Sequence, residues 1–180
     1  LATIGLGAVA VPLNPSSPAP ELQSELSVVC PRVVVVDKLA ASNLARVDRS
    51  AVPSIEVTVT TEPTSGADGV VGFDDLLAAA PVDTVDVDGA HLAALMFTSG
   101  TAGSPRAAML THANLQSNLD QSLSAEGHID ANDVIYGVLP LFHIFGLNVV
   151  IGLGLCVGAT IVLVQRFDPA TAVQSVHVAA

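Results

Sequence analysis

Short apolar runs alternate with segments of helical periodicity along the whole chain. The apolar runs predict strands, because several of them are rich in β-branched residues, which favour an extended backbone. The predicted strands are residues 9–13, 33–37, 55–60, 92–98, 134–138 and 160–164. The predicted helices are residues 20–29, 38–47, 73–80, 111–123 with Thr111 as the cap, a buried helix near 145–156 and a last helix that starts at Asp168-Pro169. Strand–helix alternation of this kind predicts an α/β fold with a mainly parallel sheet flanked by helices.

Polar signals mark the ends of these elements. Thr111 can cap a helix whose leucines repeat every four residues on one face. Asp168 and Pro169 combine an N-cap Asp with Pro at the first helical position. Residues 61–72 are rich in Thr, Gly and acidic side chains and predict a surface loop, and residues 81–89 predict an acidic connector.

The uncharged stretch 144–164 has the length of a membrane span. Glycines interrupt it and no Lys/Arg cluster flanks it, which argues against a transmembrane helix. Strands that are covered on both faces of a parallel sheet form continuous apolar runs of this kind. We therefore expect a buried helix, a turn at Gly158 and a core strand, with no transmembrane span.

The composition fits a globular domain. Of the 180 residues, 51% are hydrophobic, which is enough for a full-sized core. The net charge of -11 disfavours nucleic acid or an anionic membrane as partner, because both need a positive surface. Cys30 and Cys156 lie far apart in apolar runs, which predicts two buried reduced thiols rather than a disulfide or a metal site and fits a cytoplasmic protein. The chain opens without Met and stops without a helix-ending signal, so we expect residues 1–180 to form a single partial domain of something longer.

The richest chemistry lies in residues 98–106, Thr-Ser-Gly-Thr-Ala-Gly-Ser-Pro-Arg, directly after a predicted buried strand. Its glycines let backbone N–H groups converge on one point, which suits an anion. Four hydroxyls add donors, and Arg106, one of only 6 basic residues, can hold a phosphate in two-pronged fashion. The G-x-x-x-x-G-K-[ST] pattern of the P-loop is absent. The segment predicts a phosphate-binding loop at the C-terminal end of a strand, with a Gly/Ser/Thr turn between two strands as the alternative.

Three segments together resemble one enzyme family. Residues 98–106 are similar to the T-S-G-T-T-G-x-P-K-G loop of the adenylate-forming superfamily, which contains acyl-CoA synthetases, peptide-synthetase adenylation domains and luciferases. Residues 139–146, Leu-Pro-Leu-Phe-His-Ile-Phe-Gly, resemble the family's next motif. Residues 7–15 resemble a segment that precedes an early parallel strand. The likeness covers nearly the whole chain in order, and it implies part of the large N-terminal domain of an acyl-CoA synthetase-like fold.

The resemblance implies roles for individual residues. It implies that loop residues hold the phosphates of ATP, that Thr98 also lies near the magnesium ion, and that His143 borders the carboxylate and acyl pocket. Taken without the family, His143 could equally be a core histidine between two phenylalanines. The usual Lys is Arg106, which keeps the charge, while Ala102 and Ala107 replace the usual Thr and Gly. The implied phosphate ligands are Thr98, Ser99, Gly100, Thr101, Gly103, Ser104 and Arg106, and the implied catalytic residues are His143 and Arg106.

The other histidines receive no site role. His112 lies beside Thr111 at a predicted helix start, where capping is the simpler role. His91, His128 and His177 show no spacing that would pair them with another ligand.

The resemblance implies that the parent enzyme activates a carboxylic acid, preferably a fatty acid, with ATP and Mg2+ and transfers it to CoA. The family's later magnesium, ribose and lysine motifs do not occur in these residues, so the chain alone is expected to be inactive. A fatty-acyl-AMP ligase and a peptide-synthetase adenylation domain are alternatives within the same chemistry. A non-catalytic nucleotide-binding scaffold that forms a homo-oligomer through exposed core is the alternative from another class. The Lys-poor composition suggests a GC-rich bacterial source.

Overall fold

Strands and helices alternate in the computed structural model, which describes residues 1–63, 66–98, 105–125, 129–164 and 167–179. The strands are β1 Val33–Val36, β2 Val57–Thr60, β3 Val70–Gly72, β4 Leu92–Phe97, β5 Ala107–Thr111, β6 Val134–Gly137 and β7 Thr160–Leu163. The helices are α1 Ala2–Gly5, α2 Ala19–Val29, α3 Lys38–Leu44, α4 Phe73–Ala78, α5 His112–Leu123, α6 Gly154–Val157 and α7 Pro169–Ala179, with a 3₁₀ turn at Arg49–Ala51 and a π-helix at Phe145–Leu153. The predicted α/β class is confirmed.

The strands form three small sheets of two kinds. Strands β1, β2 and β3 pair in parallel in that order, and β6 pairs in parallel with β7. Strands β4 and β5 pair antiparallel. The parallel pairs agree with the predicted topology, whereas the antiparallel pair departs from it. The connection from β4 to β5 is short, and a parallel pair would need a crossover of about a dozen residues or more.

Three segments differ from the sequence-based prediction. Residues 9–13 form no strand, although Ala10 makes a single parallel bridge to Ala94 of β4. The predicted loop 61–72 contains β3, since its two valines pair with β2. Strand β5 was not predicted, because its sequence Ala-Ala-Met-Leu-Thr is not rich in β-branched residues. In β3 and β5, pairing with a neighbouring strand stabilises an extended backbone that the local composition does not predict.

The principal core lies under the β1–β3 layer. Helix α3 begins there at a cap that the Asp37 side chain provides, because it accepts a hydrogen bond from the Ala40 N–H at 2.9 Å. Leu26 of α2 and Val52 are each 2% exposed, so the centre of this core is closed to solvent. The buried cluster comprises Ala19, Leu22, Leu26, Val36, Leu44, Val47, Val52 and Ile55.

The uncharged stretch folds into a π-helix, a short α-helix, a turn and a strand. Gly158 ends α6 with a left-handed φ of 77°, as the sequence predicts for a turn. Gly154 faces β6 and β7 so closely that an added Cβ would lie 2.7 Å from Ile161 and 2.8 Å from Ile135. In the part of the chain that the structure describes, no helix combines the length and the apolarity needed to cross a membrane.

Both cysteines are free, and both are exposed, so the prediction of buried thiols is wrong. Cys30 follows α2 in a left-handed conformation with φ of 46°, and its thiol donates to the Ser27 carbonyl. Cys156 lies in α6, where it too is exposed. An apolar run does not specify which of its side chains turn inward, and this explains the error.

Candidate functional site

The antiparallel pair β4–β5 brings the two ends of the candidate phosphate segment together. Strand β4 has a buried centre, in which Ala93 and Ala94 are fully inaccessible. Beyond the last strand pair, the Thr98 N–H donates to the Arg106 carbonyl at 3.1 Å, and the Thr98 hydroxyl donates to the same oxygen at 3.4 Å. Both residues are exposed. The backbones of Thr98 and Arg106 are therefore fixed at the same end of one hairpin, and both side chains are open to solvent.

The other predicted phosphate ligands, Ser99, Gly100, Thr101, Gly103 and Ser104, lie outside the described residues, and their role stays a prediction. The segment does connect two strands, as the alternative of a simple turn requires. This connectivity is compatible with anion binding, because a turn that is rich in glycine can also aim several N–H groups at one point.

The upstream segment 7–15 lies alongside β4. The Ala10 N–H donates to the Ala93 carbonyl at 2.9 Å, and the Leu95 N–H donates back to the Ala10 carbonyl at 2.9 Å. Strand β4 is thus bonded on one edge to β5 and on the other to Ala10. Two of the three family-like segments therefore meet at one strand.

Two histidines meet at the opposite end of the hairpin. The His112 N–H donates to the His91 carbonyl at 3.1 Å, and the two ring centroids are 6.0 Å apart. The His91 Nε2 lies 2.9 Å from the Gly7 carbonyl and must carry the proton there, because a carbonyl only accepts. The His112 Nε2 is buried and has no hydrogen-bond partner within the described residues. No local pattern predicts this pair, since only the antiparallel register brings the two rings together.

The second motif, residues 139–146, forms a tight turn into the π-helix. The His143 N–H donates to the Pro140 carbonyl at 3.0 Å, and the His143 Nδ1 accepts from the Phe145 N–H at 3.2 Å. His143 is exposed, so it is not a core histidine. Phe145 is 51% exposed and Phe142 is half-buried. Gly146 is buried where any Cβ would overlap the Pro140 carbonyl, so glycine is required for the turn.

The described residues of the two motifs, Thr98 and Arg106 in the first and His143 in the second, make no direct polar contact. Within the described residues, no hydrogen bond or ion pair links His143 to Thr98 or Arg106. The same part of the chain contains no group of three or more His, Cys, Asp or Glu side chains that could hold a metal ion.

Comparisons with known proteins agree on one family. The sequence model of the family described as AMP-binding enzyme matches residues 1–179. The 4-coumarate–CoA ligase 1 of Oryza sativa subsp. japonica is 34% identical over 175 residues, which cover 91% of this chain and 30% of that protein. ATP-bound MatB from Rhodopseudomonas palustris matches with a TM-score of 0.77 and 29% identity over 96% of this chain and 33% of that one. A protein proposed to be a long-chain-fatty-acid CoA ligase, from the same species, matches with a TM-score of 0.82 and 26% identity over 98% of this chain and 43% of that one.

The chain belongs to the AMP-binding enzyme family, and the predicted resemblance is confirmed. Its relatives among curated proteins include CoA ligases, and its structural neighbours include acyl-CoA ligases. The chain spans about 30% of the length of the curated relatives that it matches first.

Proposed function

We propose that this chain supplies the ATP-phosphate and acid-binding parts of an acid–thiol ligase, which activates a carboxylic acid with ATP and transfers it to CoA. One observation carries the proposal. In a chain of the AMP-binding family, the exposed Thr98 and Arg106 are fixed together at the end of the β4–β5 hairpin. The phosphates of ATP are the anions that suit a guanidinium and hydroxyls placed this way.

The reaction has two steps. A carboxylate oxygen attacks the α-phosphorus of ATP, the bond from that phosphorus to the pyrophosphate oxygen breaks, and an acyl-adenylate forms. The sulfur of CoA then attacks the acyl carbon, AMP leaves, and the thiol proton passes to solvent. Arg106 neutralises the charge that develops on the leaving pyrophosphate, and Ser99, Gly100, Thr101, Gly103 and Ser104 add N–H and hydroxyl donors. A magnesium ion, when bound near Thr98, supplies further neutralisation of the phosphates.

His143 holds the acid in this proposal. Its Nδ1 accepts from the Phe145 N–H, so the neutral ring carries its proton on Nε2. That N–H is available to a carboxylate oxygen, because the side chain is exposed. Leu139, Leu141 and Phe145 of the same motif are also exposed, which suits an apolar acyl group next to the carboxylate.

A fatty acid is the favoured substrate, and an aromatic acid is the second candidate. The first follows from the apolar residues of the second motif and from the likeness to the long-chain-fatty-acid ligase. The second is favoured by the likeness to 4-coumarate–CoA ligase, which has the higher sequence identity.

Carboxylate-dependent ATP–pyrophosphate exchange tests the proposal. The assay would compare short, medium, long-chain and aromatic acids on this chain and on the longest product that its gene encodes. We expect exchange in the longer product with one class of acid preferred, and none in the 180-residue chain alone. Absence of exchange in both would overturn the proposal and favour a non-catalytic oligomeric scaffold, which would sediment with a size that depends on concentration.

A further inference from the structure

The π-helix Phe145–Leu153 carries a buried polar side chain, that of Asn148, which is 6% exposed. Its Nδ2 donates to the Leu115 carbonyl at 3.2 Å and to the Asn118 Oδ1 at 2.8 Å, both on α5. A buried amide that loses its partners destabilises a protein by about 1–3 kcal/mol. The two hydrogen bonds therefore favour a single register of the π-helix on α5.

The packing around Asn148 restricts sliding of the π-helix. At Gly152, one turn further on, an added Cβ would lie 3.2 Å from the Asn148 Oδ1 and 3.2 Å from Leu119 of α5. At the other end, Gly146 lies against the Pro140 carbonyl with no space for a side chain. The two glycines thus allow close packing of the π-helix, and the Asn148 amide fixes its register on α5.

The chain sequence connects both partners of this contact to the candidate site. Helix α5 begins directly after β5, and β5 begins directly after Arg106. The π-helix begins two residues after His143. The Asn148 contact thus joins the element that follows the phosphate segment to the element that follows the second motif.

We propose that Asn148 is a positioning residue, which holds the His143 turn in register with α5 and, through β5, with the hairpin that carries Thr98 and Arg106. The inference rests on the proposed function and deepens it. The Thr98–Arg106 hydrogen bonds lie within the hairpin, so ATP binding survives the loss of Asn148. The alignment of the acid with the α-phosphorus does not survive, and a misplacement of about 1 Å can lower a rate by about 10²-fold.

The Asn148→Leu variant tests this inference, because it removes the donor and keeps the number of side-chain heavy atoms. In the longest product that the gene encodes, we expect kcat for ATP–pyrophosphate exchange to fall by about 10-fold or more while KM for ATP changes by less than about 3-fold. Asn118→Asp keeps an acceptor for the Asn148 amide, so its kcat should stay near that of the wild type. Leu119→Ala is the packing control, since Leu119 is buried on α5 at the same contact. An unchanged kcat in Asn148→Leu, or an equal loss in an equally destabilised Leu119→Ala, would overturn the inference.

A second measurement separates failure of this inference from failure of the proposed function. If the longer wild-type product shows no ATP–pyrophosphate exchange, the proposed function fails. Amide hydrogen exchange still tests the Asn148 contact in that case. Asn148→Leu should accelerate amide hydrogen exchange in residues 112–119 and in residues 139–147, and by more than Leu119→Ala does. Unchanged exchange at 139–147 would contradict the role of Asn148.

Discussion

The β1–β3 layer and the end of the β4–β5 hairpin differ in what they bury. The layer encloses the cluster around Leu26 and Val52, and it contains none of the candidate site residues. The hairpin end holds two of those candidates, Thr98 and Arg106, and both are exposed. One region is apolar and covered, and the other is polar and accessible.

This difference predicts that separate regions of the chain determine its stability and its chemistry. Burial of apolar area is the dominant favourable term in folding, so the layer should dominate stability. Exposed charges contribute little, and even the Arg32–Glu56 ion pair of the layer is exposed on both side chains. A polar residue at the hairpin end can therefore change the reaction without changing the free energy of unfolding.

The largest expected effect on stability comes from the layer. Leu26→Ala should lower the free energy of unfolding by about 2–5 kcal/mol, because it opens a cavity in a buried core. The matched control is Leu39→Ala on α3, where the leucine is 51% exposed and the loss should be small. Urea unfolding measures both variants. Equal losses would contradict the assignment of the core to this layer.

The second expected effect concerns the reaction. In the longest product that the gene encodes, Arg106→Ala should lower the rate of ATP–pyrophosphate exchange by about 10²–10³-fold, since it removes the positive charge that neutralises the leaving pyrophosphate. The urea midpoint should stay the same, because the side chain is exposed and its carbonyl still binds Thr98. Arg106→Lys, which restores the residue of the family pattern, should keep most of the activity. A wild-type rate in Arg106→Ala, compared with the exposed Arg46→Ala as control, would remove Arg106 from the site.

Much of the fold could be predicted where the signal is local. The Thr111 cap is present, and its hydroxyl accepts from the Asn114 N–H at 3.2 Å. Strand β1 is a run of four valines, and it forms where it was predicted. Strand β5 has no such local signal and forms because β4 lies beside it. The π-helix could not be predicted either, since a uniformly apolar stretch shows no period that separates it from an α-helix.

The candidate site divides in the same way. Residues 98–106 and 139–146 could be found from their motifs, and in 98–106 glycines, hydroxyls and an arginine lie together in one short segment of a chain with only 6 basic residues. The His91–His112 contact depends on strand register and was missed. Asn148 carried a signal that could have been used, because it is an amide inside a stretch that is otherwise almost wholly apolar.

The smallest expected effect tests whether the layer tolerates a charge. Burial raises the pKa of the Glu25 carboxyl, the nearby Glu21 carboxylate adds to this, and the Glu25 Oε2 has no hydrogen-bond partner within the described residues. The Glu25 carboxyl therefore keeps its proton to a higher pH in the folded protein than in the unfolded chain, where its pKa is near 4.5. As a result, the free energy of unfolding falls as the pH rises above 4.5. Glu25→Gln should remove this slope and raise stability near neutral pH by about 1 kcal/mol.

Glu56→Gln is the control, with a pH dependence of opposite sign. The hydrogen bond from Arg32 lowers the pKa of the exposed Glu56 carboxyl, so the stabilisation of the fold by this pair is lost as the pH falls below the unfolded value. Urea unfolding from about pH 3 to about pH 8 measures both slopes. A Glu25→Gln variant that keeps the wild-type slope would show that the layer accepts the buried carboxylate without penalty.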